Sequence, residues 1–199
     1  MRRGWRRREQ AGPMDVALLA LRVTAGSLLA GHGAQKLWGV LGGYGPEGTG
    51  GWLESLGLKP GKPWAYLAGA SEFASGVLMA LGLLTPIGAV STFGPMLAAT
   101  LTAHRGKPIW VSAGGAELPV VYMAIATALA LAGPGRYSLD AALNLRVPKP
   151  LVALTAAGVA AGIVALELTR EQPAAQQQAQ ARDATEAQDA AEREQEVGA

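Results

Sequence analysis

The chain has 199 residues, enough for one domain; half are apolar, 16% are charged, the formal net charge is +2 and cysteine is absent. Without cysteine the chain can supply no disulfide framework, thiolate metal site, iron–sulfur ligand or thiol nucleophile. Nor does its charge suit nucleic acid: Arg2, Arg3, Arg6, Arg7 and Arg8 crowd the start and flank a hydrophobic run, instead of spreading over a folded face among aromatics.

Behind this basic head, residues 1–13, hydropathy predicts five segments near membrane-spanning length, about twenty residues for a hydrocarbon core of roughly 30 Å. The first runs from Met14 to Gly31 and holds Arg22 inside it. That charge interrupts the apolar run and argues for a retained span over a cleaved signal sequence. A Gly-rich stretch from Gly39 to Pro63 follows, in which Trp52, Leu53, Leu56 and Leu58 suit a short helix on the membrane surface. Trp38, Trp52 and Trp64 fit the interface, where an amphipathic ring is stable. The second segment, Trp64 to Leu84, encloses Glu72; Thr85-Pro86 alone joins it to the third, Pro86 to Ala103, so the two form a tight antiparallel hairpin. The fourth runs from Ala113 to Ala132 with Glu117 near its start. After it, a loop from Gly133 to Pro150 carries Gly-Pro-Gly and then Arg136 and Asp140, four apart, as structural residues.

The fifth segment, Leu151 to Leu168 within the region 144–170, is rich in Ala, Gly and Val. Its Gly158 and Gly162 stand four apart, a spacing that lets helices approach closely and would serve a homo-oligomer. From 171 to 199 the chain becomes a polar, low-complexity tail with no apolar stripe. The expected fold is all-α: a membrane four-helix bundle over 14–143 plus a fifth transmembrane helix. So many near-uncharged segments leave too little polar surface to coat a soluble globule. Placing the arginine head in the cytoplasm also places Arg136, Arg146 and Lys149 there, as the bias of Lys and Arg toward that side requires. The expected location is the cell membrane, multi-pass, with the lipid bilayer as first partner.

The buried charges carry the functional reading, because a charge at mid-membrane costs about 2.5–3.5 kcal/mol on insertion scales. With the first span ending near Gly33 and the second starting near Trp64, Arg22 lies roughly 16 Å and Glu72 roughly 12 Å below the same outer surface, at about 1.5 Å per residue. His32, His104 and Glu117 fall on that side too. The bland reading is an Arg22–Glu72 pair that holds two helices in register. The sharper one is a polar pocket opening outward that holds a quinone head group, relays protons or binds a small ligand. Two histidines without helical-turn spacing give no support to a metal or haem site.

The sequence resembles the DoxX family of small membrane proteins in four places. These are Leu21-Arg22 followed by Gly26 and Gly31-His32-Gly33-Ala34-Gln35-Lys36-Leu37-Trp38-Gly39; Glu72 with Gly76 and Leu81-Gly82-Leu83-Leu84-Thr85; Gly114-Gly115-Ala116-Glu117; and Gly133-Pro134-Gly135-Arg136-Tyr137-Ser138-Leu139-Asp140. It departs at Pro86, where the family often has a basic residue, and its third segment is poorer in motif, although His104 matches. The resemblance implies a four-helix membrane core and carries over Arg22, His32, Gln35, Lys36, Glu72, Glu117 and Asp140. It further implies a subunit of a quinone-linked oxidoreductase complex, or a partner of redox complexes in oxidative-stress defence. Two expectations follow: a redox-associated subunit that uses the outer pocket beside a soluble or membrane protein partner, or a non-catalytic scaffold or assembly partner. A transport cycle is less well served by four core helices without paired broken segments.

Overall fold

The computed structural model describes residues 12–171, so the basic head and the polar tail lie outside it. Among the described residues there are seven helices and no strand: α1 Pro13–Trp38, α2 Gly45–Ser55, α3 Gly61–Leu81, α4 Thr85–Leu101, α5 Glu117–Ala132, α6 Leu139–Ala142 and α7 Lys149–Thr169, with a 3-10 turn at Val111–Ala113. Proline opens α1, α2, α4 and α7 within the first two positions. There its fixed φ suits the helix, and its missing N–H is one the helix could not have paired. α1 and α3 both stop at a left-handed glycine, Gly39 and Gly82.

α1, α3, α4 and α5 form the bundle: α3 lies between α1 and α4, α5 packs on α4 and closes the bundle against α1, and α7 leans on α4. The surface helix expected between the first two spans is α2, which rests on α3 and touches α1. Leu18, Ala25, Leu29, Met79, Ala89, Met96, Tyr122, Ala126 and Leu129 make the main core. A second cluster gathers Leu53, Leu58, Ala65 and Leu166 near the other end. Asp15, in the first turn of α1, lies at one end of the bundle, and Lys36, in its last turn, at the other.

α1 and α7 are long and apolar enough to cross a membrane. α3 has the length, at 21 residues, while α4 and α5 have 17 and 16. At about 1.5 Å per residue the shorter two cover roughly 25 Å, and the connections at their ends complete the height of the bundle.

α1 and α3 meet almost without side chains. A Cβ on Gly26 would overlap the backbone of Gly76 and Ala80, one on Gly33 the backbone of Gly69 and Phe73, and one on Gly76 the backbone of Gly26 and Ala30. Small residues in this pattern let two membrane helices approach to backbone contact, where packing replaces the hydrophobic drive that lipid cannot supply. Gly158 and Gly162, by contrast, have nothing near the position of a Cβ. Gly33→Ala and Gly76→Ala are each expected to lower stability in detergent by about 2 kcal/mol through overpacking. Gly158→Ala should be neutral or stabilising by about 0.5–1 kcal/mol from helix propensity. Reversible unfolding of the three variants measures both effects.

Candidate functional site

The antiparallel contact sets Gly26 beside Gly76–Ala80 and Gly33 beside Gly69–Phe73. By the same register Arg22 is level with Gly82, at the end of α3, and Glu72 is level with His32. Ten residues of α1 separate the two levels, about 15 Å. Arg22 and Glu72 therefore stand apart, and the expected pairing between them is not made. The expected depths took α1 to end near Gly33 and α3 to begin at Trp64; α1 in fact continues to Trp38 and α3 begins at Gly61.

At the Asp15 end the charges form a clasp. Arg22 is 1% exposed. Its Nη2 donates to the Tyr137 carbonyl, and the Asp140 carboxylate offers it a compensating charge. Nε and Nη1 have no protein partner. Gly82 is needed beneath the guanidinium, since a Cβ there would overlap Nη1. Asp140 accepts from the backbone N–H groups of Leu84 at 2.7 Å and Thr85 at 2.8 Å, which caps α4 from a distant loop. The Asp140 N–H in turn donates to the Gly82 carbonyl at 2.9 Å. Asp15 accepts from the Arg136 N–H at 2.9 Å, so Arg136 contributes its backbone to the clasp. Asp140→Ala should cost about 3 kcal/mol, because it strands two N–H groups and removes the charge opposite Arg22. Asp140→Asn, which keeps an acceptor oxygen, should cost less; thermal unfolding in detergent compares them.

At the Lys36 end, Lys36 Nζ contacts Glu72 Oε2 at 2.5 Å, with side-chain exposures of 23% and 8%. Burial makes this a high-stakes pair: intact it links α1 to α3, and a lone survivor would be an unpaired charge in the bundle. His32 stands within the field of Glu72 and pairs through Nδ1 with Gln35 Oε1 at 3.2 Å. Gln35 Nε2 donates to the Leu41 carbonyl at 3.0 Å and so ties the glycine loop to α1. Between that loop, α1 and α2 runs an open groove of about 600 Å³, lined by Gln35, Lys36, Gly42, Gly43, Tyr44, Gly48, Thr49 and Trp52. Lys36, whose ammonium pairs with Glu72, is the one charged residue of this lining, and Tyr44 and Trp52 are its aromatic ones.

His104 and Glu117 do not line the groove. The His104 ring pairs with the Gly114 carbonyl at 2.6 Å, and Glu117 accepts from the Val111 N–H at 2.8 Å. Both thus shape the connection between α4 and α5. Sequence reasoning does not single out buried Thr49, which lines the groove, or Tyr122 of α5, within reach of the Glu72 charge. Tyr122 lies in an apolar run, where a single tyrosine carries no signal. Among the described residues no group of three or more His, Cys, Asp or Glu is placed to hold a metal.

The DoxX family model matches residues 17–105, from α1 through the turn after α4. The match ends before Glu117 and Asp140, so the likeness there rests on their motifs. No curated protein and no solved structure matches the chain.

Proposed function

The chain carries a DoxX domain and is a helical membrane protein, and we propose that its groove at the Lys36 end receives the head group of a lipid-soluble carrier of quinone type, for use beside a redox partner. The observation behind this reading is the Lys36–Glu72 pair at the edge of a groove walled by Tyr44 and Trp52. A quinone ring needs flat apolar contact and a donor for a carbonyl oxygen; the aromatic walls offer the first and the Lys36 ammonium the second. About 600 Å³ is ample for one ring. The groove would sit at the depth of lipid head groups, because Trp38, Tyr44, Trp52 and Trp110 are exposed toward the same end, as in an interfacial aromatic belt. In this reading that end faces outward and the arginine head is cytoplasmic. The chain holds and orients the carrier, and electrons come from the partner.

A non-catalytic scaffold is the second reading, favoured by a different observation. Arg22, Asp140, Arg136, His104 and Glu117 are all engaged in contacts that hold loops and helix ends. Titration of the purified protein with a short-chain quinone, followed by tryptophan fluorescence, separates the two. The groove reading expects saturable quenching that weakens about tenfold or more in Lys36→Ala, the loss of one charge-assisted hydrogen bond. Trp52→Phe identifies the reporting ring. Quenching that never saturates, or that is unchanged in a folded Lys36→Ala variant, would favour the scaffold.

A further inference from the structure

α7 lies beyond the matched DoxX stretch and is exposed along most of its length; Leu166 is its one buried residue. Its attachments concentrate at the Lys36 end of the bundle. Leu166 joins Leu53 of α2 and Leu58 in the second core cluster. Arg170, with a side chain only 9% exposed, donates through Nη1 to the Leu101 carbonyl at 2.7 Å. Arg105 pairs with Glu167, and Lys59 pairs with Glu171 at 3.0 Å. The Glu171 N–H donates to the Gly57 carbonyl at 2.9 Å. Gly57, at φ +88, lies so close that a Cβ would overlap the Glu171 carbonyl.

Arg170 and Glu167 thus tie the end of α7 to the end of α4, while Leu166, Glu171 and the Arg170 stem beside Gly57 reach the stretch that leaves α2; α2 is the outer wall of the groove through Gly48, Thr49 and Trp52. On its other side α2 is tied to α3: Glu54 accepts from the Gly61 N–H at 2.7 Å, and Glu47 pairs with Lys62. The wall is thus held from two sides, one inside the DoxX domain and one outside it. We infer that the end of α7 is a clamp that positions α2, with Leu166, Arg170 and Gly57 as positioning residues for the groove. Its consequence for ligand affinity rests on the proposed function of the groove; the clamping itself does not. α7 packs on α4 and reaches the groove wall only with its last turn, so a disturbance along α7 would be felt at the groove through that turn.

The test uses the absence of native thiols. Thr49→Cys places one thiol in the full-length protein at a groove position that is 7% exposed and outside the second cluster. Ser75→Cys places one in the bundle core as a control, 1% exposed. Maleimide labelling in detergent is then compared with and without Leu166→Ala, Arg170→Gln or Gly57→Ala. Labelling at position 49 should accelerate about tenfold in these backgrounds, the factor expected when a local opening loses one charge-assisted bond or a comparable packing contact. Position 75 should stay protected. An unchanged rate at position 49, or an equal rise at 75, would overturn the clamp. Acceleration at 49 alone, when the protein with native Thr49 binds no quinone, would uphold the clamp and refute the quinone reading.

Discussion

The backbone contact between α1 and α3 governs where every charge in this bundle ends up. A Cβ on Gly26, Gly33 or Gly76 would run into the backbone of the facing helix, and Gly69 leaves the space that the Leu37 side chain fills. Two helices this close cannot slide by a residue without driving a Cβ into backbone, so their register is sterically pinned. From that register follow the level of Arg22 at Gly82, the level of Glu72 at His32, and the reach of Lys36 to Glu72.

Pinning divides the ionic groups into two sets with different physical roles. At the Asp15 end, Arg22 and Asp140 are turned inward, toward the Tyr137 carbonyl and the N–H groups that open α4, and Asp15 accepts from the Arg136 N–H nearer the surface. Such a clasp anchors the segment after α5 to the turn between α3 and α4, with Arg22 Nε and Nη1 left without a protein partner. At the Lys36 end a single buried pair stands beside an open groove, and the wall of that groove is a short helix shared between the DoxX domain and α7. The Arg22–Asp140 clasp and the groove beside Lys36 thus lie at opposite ends of the bundle, whereas the sequence suggests a single polar cluster.

The fold was legible because its signals are local. Apolar runs marked each long helix, opening prolines and closing glycines marked several ends, and the tryptophan and leucines of the Gly39–Pro63 stretch marked α2. The site was much less legible. Hydropathy fades before a helix stops, so the first span is expected to end several residues short of Trp38, and although the resemblance carries over both Lys36 and Glu72, depth along the spans sets Arg22, not Lys36, against Glu72. An offset of a few residues at about 1.5 Å each is enough to exchange one ion-pair partner for another. Spacing of small residues was equally ambiguous: Gly26 with Ala30 and Gly158 with Gly162 look alike in sequence, yet only the first is pressed against another helix in the structure.

A pair of double-mutant cycles on unfolding stability in detergent tests this account most directly, one on Lys36 and Glu72, the other on Arg22 and Glu72. A coupling of about 2 kcal/mol is expected between Lys36 and Glu72, as for residues in one ion pair. Between Arg22 and Glu72 the coupling should be no larger than about 0.5 kcal/mol, as for independent sites. Strong coupling of Arg22 to Glu72, with none between Lys36 and Glu72, would contradict the register on which the rest of the structure depends.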